Sequence, residues 1–315
     1  MPDVLISEDL RGVAIDELKS TFDVVHDATL WQRPAALLAM LGDFRALIVR
    51  NQTRVTDEVI RAGKTLQVVA RAGVGLDNID VEAARTAQVT VVYTPEQNSL
   101  SVAELTLGLM LSLARKIHAA DVSTKSGGWE RQLYTGTELF EKTLGLVGLG
   151  RIGFRVGLRA KAFGMHVIAH DEFIHCDSTG VSELGAELVP LDELLKRADF
   201  VSLHVPLTDQ TRRLFDYSLL SCMQSTAFLI NTSRGEVIVE PHLVRALQES
   251  KLAGAALDVR EVEPPIRSSL TTMANVILTP HVAAFTVEGQ RRVLASVCAD
   301  VAAVLRGKPP KYPAC

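Results

Sequence analysis

The four cysteines of this chain, Cys176, Cys222, Cys298 and Cys315, form no C-x-x-C pair and follow no framework spacing. That excludes a disulfide scaffold and predicts free thiols in a reducing compartment. His170, His175 and Cys176 lie near one another, but no second cluster completes a ligand set, so no metal is expected. Charge of one sign is also lacking. A net charge of −4 over 315 residues gives no dominant basic field for nucleic acid. No apolar run approaches the roughly 20 residues that span a bilayer, so no membrane partner is expected. The opening Met1-Pro2-Asp3-Val4-Leu5-Ile6 has no basic n-region and enters a strand pattern at once, which argues against a signal peptide. These absences together predict a cytoplasmic protein. Ser233 has no placed base, which disfavours a hydrolase triad.

What remains is a chain with 47% hydrophobic residues, ample for real cores, and a length natural for two domains. Short apolar strands alternate with helical segments. In the first hundred residues, strands are expected at 4–6, 23–25, 46–49, 66–70 and 89–92. Helices are expected at 13–20, 34–41, 56–62 with Thr56 as N-cap, and 81–86. Ser101-Val102-Ala103-Glu104 reads as a capping box. It opens a long helix with apolar Val102, Leu105, Leu109, Met110, Leu113 and Ile117. A loop follows at 126–131, in which Trp129 is expected as a packing anchor. Further strands are expected at 144–147, 165–169, 187–189, 199–205, 227–230, 254–257 and 276–278. Helices are expected at 154–163, 191–197, 216–223, 241–250 and 286–306. The alternation predicts an α/β fold with parallel sheets covered on both faces.

One stretch organises this pattern. Gly148-Leu149-Gly150-Arg151-Ile152-Gly153 stands between a strand and a helix, and the next strand ends at Asp171, eighteen positions after Gly153. Glycines allow a tight turn and let the backbone approach a pyrophosphate, and the helix N-terminus favours that anion. The acid is placed for a ribose diol. Asp171 and the following Glu172 would repel a 2′-phosphate, so the expected cofactor is NAD.

Polar residues sort to strand ends. Asp171, His204, Arg234, Asp258 and His281 each follow a strand of this half, so they should share one rim, where such sheets bind ligands. That rim adds His204 to the expected cofactor-binding residues. A nicotinamide moves a hydride, so its partner chemistry must move a proton and stabilise a carbonyl or alkoxide. His281 suits the proton transfer. Glu263 or Glu261 can orient it. Arg234 can grip a carboxylate and polarise the adjacent carbonyl. The set suits oxidation of a 2-hydroxy acid or reduction of a 2-oxo acid. In the first half, Arg71-Ala72-Gly73-Val74-Gly75 follows a strand and can present backbone N–H groups to an anion, or be a plain turn. Arg50, at the end of its own strand, is a candidate for a second anion pocket with Arg71.

The motifs Arg71 to Asp80, Asn98 to Glu104, Gly148 to Gly153, Asn231 to Gly235, Ala255 to Val259, Glu263-Pro264 and Pro280-His281 are highly specific together. On them, nearly the whole chain resembles the D-isomer-specific 2-hydroxyacid dehydrogenases, and within them the branch acting on D-3-phosphoglycerate. The resemblance implies two Rossmann-like domains with the active site in the cleft between them. The first, substrate-binding domain would be discontinuous, 1–98 and 285–315, and the NAD-binding domain would be 99–284. It implies Arg234, Glu263 and His281 as catalytic residues, which favours Glu263 over Glu261. Gly73, Val74 and Gly75 would hold the substrate carboxylate. Cofactor contacts would fall on Arg151, Ile152, Asp171, Thr232, Asp258 and His281 besides Gly148, Gly150 and Gly153. Arg50 and Arg71 match the branch's phosphate arginines. Arg131, after Gly128-Trp129-Glu130, matches a basic residue lent across a homodimer.

The chain departs from the family pattern at Val239-Glu240-Pro241, at Arg260, where an aromatic is commoner, and at Phe285. It ends after one closing helix, so the regulatory domain of longer relatives is not expected. The departures keep sulfolactate, glycerate and hydroxypyruvate open as substrates beside D-3-phosphoglycerate. An NADH-sensing corepressor is the non-enzymatic alternative.

Overall fold

Residues 2–265 and 267–315 are described in the structure, a computed structural model; Met1, where the expected first domain begins, lies outside them. The chain divides into two units, Met1–Asn98 with Phe285–Cys315, and Ser99–Ala284. Every ladder between the named strands is parallel, and one isolated antiparallel bridge joins Val92 to Pro313.

The first unit carries β1 (Val4–Ile6), α1 (Val13–Thr21), β2 (Val24–His26), α2 (Pro34–Met40), β3 (Ala46–Val49), α3 (Asp57–Ala62), β4 (Val68–Arg71), α4 (Val81–Thr86) and β5 (Thr90–Val92). Its sheet has the order β2-β1-β3-β4-β5. Strand alternation sends Val4, Ile6, Ala46, Ile48, Val68 and Ala70 to one core, and Leu5, Leu47, Val49, Val69 and Val91 to another. Thr56 does cap α3, accepting from the Val59 N–H at 3.4 Å. Several strands begin one or two residues later than hydrophobicity predicts, because the ladder register, such as Val4 opposite Val24, sets their ends.

The second unit carries α5 (Ser99–Ala114), α6 (Ile117–Lys125), β6 (Thr143–Val147), α7 (Arg151–Ala162), β7 (His166–His170), α8 (Thr179–Leu184), β8 (Glu187–Leu188), α9 (Leu191–Arg197), β9 (Phe200–Leu203), α10 (Tyr217–Ser221), β10 (Phe228–Asn231), α11 (Glu240–Gln248), β11 (Gly254–Leu257) and β12 (Val276–Leu278). The sheet order is β12-β11-β10-β9-β6-β7-β8. One core packs Leu144, Leu146, Val167 and Phe200 under α5 and α7, and the other packs Val201, Leu203, Leu229 and Leu257 under α9 and α11. Each fully buried Leu or Phe contributes roughly 1.5–3 kcal/mol by leaving water. The closing helix α12 (Val287–Leu305) belongs to the first unit and packs on α1 and β4.

Three expectations need correction. Ser101 is not a cap: α5 starts at Ser99, and Ser101 is buried in its first turn. The S-x-x-E pattern fits a helix interior as well as a helix start, so burial of the first turn decided the boundary. Nor does that helix reach Ile117, because Lys116 adopts a left-handed conformation, φ 51°, and a second helix begins after it. Trp129 is 77% exposed rather than a packing anchor. Among the described residues no helix is long and apolar enough to cross a membrane.

Candidate active site

The sheet order of the second unit reverses between β6 and β9, and the glycine turn follows β6 at that switch point. Gly148 has φ 93°, and a Cβ there would lie 2.9 Å from the His204 carbonyl carbon. A Cβ on Gly153 would lie 2.2 Å from the Gly148 oxygen, so α7 closes on β6 only with glycine. Gly150 is different: a Cβ there would meet nothing within 4 Å. It is the N-cap of α7, and no side chain caps the helix. A diphosphate can therefore approach the start of α7 past Gly150, where no side chain stands in the way. Arg151 and Ile152 open the helix beside it.

Asp171 follows β7 on the same rim. Its carboxylate accepts from the Leu149 N–H at 2.8 Å and the Phe173 N–H at 2.9 Å. The acid is thereby tied to the glycine turn, with lone pairs left for a diol. His204 follows β9. Its Nε2 pairs with the Ser202 hydroxyl at 2.9 Å. The residue keeps some exposed surface, yet its Nδ1 is covered and has no hydrogen-bond partner among the described residues. Burial pushes the imidazole pKa down from 6.5 to about 3, so the ring is neutral at physiological pH. An open helix start, a tethered acid and an orphan imidazole nitrogen together fit a dinucleotide.

The turn after β10 is shaped by Asn231, which is fully buried. Its Oδ1 accepts from the N–H and the hydroxyl of Ser233, and its Nδ2 donates to the Arg234 carbonyl at 2.9 Å. Thr232 is buried, with its hydroxyl 3.0 Å from that of Thr106. Asp258, after β11, is 1% exposed. Its carboxylate accepts from the Thr279 hydroxyl and from the N–H groups of Val282 and Ala283 at 2.6, 2.9 and 2.8 Å. Expected at the cofactor, this acid builds the turn that carries His281. His281 sits there with φ 56°, its N–H donating to the Asp258 carbonyl at 2.7 Å. A left-handed histidine is strained, and such strain persists only where the surroundings impose it.

His281 Nδ1 lies 2.7 Å from Glu263 Oε2, both side chains about one-third exposed. The other oxygen, Oε1, accepts from the Arg260 N–H at 3.0 Å. Burial works to raise the Glu263 pKa. The hydrogen bond and charge of His281, the Arg260 N–H and the charge of Arg234 outweigh it and hold the carboxyl below the ordinary glutamate range. Glu261, the alternative partner, points elsewhere: it accepts from the Glu240 N–H at the start of α11. One imidazole nitrogen is thus held by a carboxylate, with an arginine charge close by.

In the first unit the order reverses between β1 and β3. Glu8, 2% exposed, follows β1 and accepts from the N–H groups of Arg50, Gln52 and Thr53 at 2.7, 3.1 and 2.9 Å. Asn78 Nδ2 donates to the Arg50 and Thr53 carbonyls. The loop after β3 is therefore clamped from both sides. Burial lowers the Arg50 pKa while the charge of Glu8 opposes that shift, and the guanidinium carbon lies 4.0 Å from the centre of the Phe285 ring. Val49 pairs with Arg71, so the two arginines are rim neighbours. The Arg71 side chain folds back over Gly73, where a Cβ would lie 1.4 Å from Nη1. Gly73 has φ 156°, and Val74 and Gly75 continue the turn. Arg131, by contrast, stands in an exposed turn of the second unit.

Sequence reasoning missed Glu8, Asn78 and Asn231, which act on these turns through backbone groups. An Asx-turn signal in Asn231-Thr232-Ser233 was available. The buried Glu8 left no local signal.

Residues 107–283 match the family model described as D-isomer specific 2-hydroxyacid dehydrogenase, NAD binding domain. A D-3-phosphoglycerate dehydrogenase of Methanocaldococcus jannaschii is 45% identical over 309 residues, covering 98% of this chain and 58% of that protein. The chain spans somewhat over half the length of such curated phosphoglycerate dehydrogenases. A hydroxypyruvate reductase of Thermotoga maritima is 46% identical over 260 residues, covering 82% of this chain and 83% of that protein. Among solved structures, the TT0316 protein of Thermus thermophilus superposes with a TM-score of 0.92 at 35% identity, over 99% of this chain and 100% of that one. The open glycine turn and its tethered acid lie in the part that matches an NAD-binding domain, and the chain belongs to the D-isomer-specific 2-hydroxyacid dehydrogenase family.

Proposed function

We propose that the chain is an NAD-dependent dehydrogenase for a small D-2-hydroxy acid with a second anionic group, D-3-phosphoglycerate or a close analogue. The observation that carries this reading is the 2.7 Å contact between His281 Nδ1 and Glu263, on the rim of an NAD-binding unit and beside the charge of Arg234. Bound NAD supplies the hydride acceptor. His281 takes the hydroxyl proton on Nε2, because Nδ1 is engaged by Glu263. Glu263 fixes the ring and stabilises the imidazolium that forms. Arg234 grips the substrate carboxylate and polarises the developing carbonyl. The backbone of Gly73 to Gly75 also serves that carboxylate, and Arg50 and Arg71 the second anion. The Glu263 pKa is depressed, so the ionised partner is present above the ordinary glutamate range and lost as pH falls through the lowered value.

A panel of 2-hydroxy acids assayed with NAD and NADP tests the reading. Wild type is expected to prefer NAD and a phosphorylated acid. His281→Ala should lose turnover by roughly a thousandfold while still binding NADH. Arg50→Ala should raise KM for a phosphorylated acid about 10- to 100-fold and leave an uncharged one little changed. Normal turnover in His281→Ala would overturn the assignment, and equal losses for both acids would remove Arg50 from the pocket. The similarity to a hydroxypyruvate reductase favours a second reading, in which glycerate and hydroxypyruvate are the best pair of the panel.

A second copy of the chain is proposed to cover Ile117, Val122, Trp129, Leu133 and Phe140, all more than half exposed. Sedimentation equilibrium should return twice the chain mass, and Trp129→Glu should shift it toward one. A monomeric wild type rejects this, together with any role for Arg131 across an interface.

A further inference from the structure

Two of the departures from the family pattern, at Glu240 and Arg260, meet in space. Arg260 Nε and Nη2 donate to Glu240 Oε1 and Oε2 at 2.9 and 2.7 Å, and Nη2 also donates to the Ser268 hydroxyl at 3.0 Å. The side chains are 6% and 15% exposed. Glu240 begins α11, where the helix favours a carboxylate, and its Oε1 also accepts from the Glu261 N–H at 2.8 Å. Glu261 returns a bond to the Glu240 N–H. A buried ion pair of this kind is weak evidence for stability, since apolar residues of similar volume often do as well. A forked, two-point contact does fix orientation.

The backbone that this pair fixes is used twice. The Arg260 N–H donates to Glu263 Oε1, leaving Oε2 for His281. The Arg260 carbonyl packs against Gly235, the neighbour of Arg234, so closely that a Cβ on Gly235 would lie 1.9 Å from it. The charged groups that act on Glu263 are His281 and Arg234. Both lie on turns held independently, by Asp258 and by Asn231. Residue 260 is the point common to the acid and the arginine.

We propose that the Glu240–Arg260 pair is a positioning device for the reaction, setting the Arg260 backbone so that Glu263 faces His281 and the Gly235 turn presents Arg234. The proposal rests on the dehydrogenase reading above. Neither member touches the reacting atoms, and both act through residue 260.

The test uses the full chain. Arg260→Met removes the fork and leaves Glu240 buried and unpaired. It should lower kcat about 10- to 100-fold, the scale of a small misplacement at the site, with NADH affinity within about twofold of wild type. In a 13C NMR titration, the Glu263 carboxyl should titrate closer to an ordinary glutamate than in wild type. Arg260→Lys restores the charge without the fork and should recover part of both. A mere staple predicts a lower melting temperature with wild-type kcat and an unchanged Glu263 titration in the folded variant; that result overturns the proposal. If Arg260→Met does not fold, Glu240→Leu with Arg260→Met keeps the volume apolar, and a folded double variant with wild-type kcat is equally fatal. If wild type itself turns over no 2-hydroxy acid, the dehydrogenase reading fails, while the Glu263 titration still judges the alignment.

Discussion

The two rims use one architecture in opposite ways. Both sheets are parallel, and in both the strand order reverses where ligands dock. In the second unit the turn is left open: among the described residues no side chain caps α7, and a side chain at Gly150 would meet nothing. In the first unit the corresponding crevice holds the chain's own carboxylate, Glu8, which gathers three backbone N–H groups. Backbone donors at a switch point bind an anion in either case. What differs is whether the anion comes from the chain or from outside. The internal carboxylate closes the first unit to a diphosphate and, in exchange, holds the loop of Arg50 still. A fold alone therefore does not tell which unit takes the dinucleotide; the occupant of the crevice does.

The sharpest way to break this contrast is to give the second unit a carboxylate of its own. Gly150→Asp meets no steric barrier. It should weaken NAD binding by about a thousandfold, the cost of like charges about 4 Å apart at the protein surface. Aspartate is also a good N-cap, so the melting temperature should hold or rise. Calorimetric titration with NAD alongside a thermal melt checks both, and retained affinity would refute the open-gap account. The converse change is smaller. Glu8→Gln keeps the volume but loses the charged acceptor, and should cost about 2 kcal/mol in urea unfolding. It should loosen the Arg50 loop while leaving NAD affinity alone; a loss of NAD affinity would show that the two crevices are not independent. The effect that is smallest at neutral pH, and grows only in acid, concerns His204. Its folded pKa is depressed, so the unfolded chain takes up a proton that the folded chain refuses. Stability should be full above pH 6.5 and decline as pH falls from there toward about 3. His204→Gln should flatten that decline by about one proton's slope. Identical slopes in the two proteins would deny the buried neutral ring.

Much of this was legible in sequence because strand and helix patterns here are strong. Helices such as Val81–Thr86 and Leu191–Arg197 follow from their periodicity alone. So does the rim, since a strand end and the next polar residue are neighbours along the chain. The choice of Glu263 over Glu261 came from family resemblance, and periodicity could not have made it. What remained hidden depends on residues distant in sequence. Helix α8 opens on Thr179-Gly180, residues of low helix propensity, and so did not stand out. The use of Asp258 to shape the His281 turn spans more than twenty positions. The left-handed backbone at His281 is imposed by that distant acid and carries no local signature. Glu240 and Arg260 read as two separate oddities until the fold joined them.

The return of α12 to the first unit has a consequence in time. Its Val293, Leu294, Val297, Val301 and Leu305 complete the core that contains Val4, Ile6, Ile48 and Val68. On a ribosome, that face of the first sheet stays bare while all of residues 99–284 emerge. The unit synthesised first is therefore the last that can close its core, and its apolar face is the one exposed longest to capture by other nascent chains.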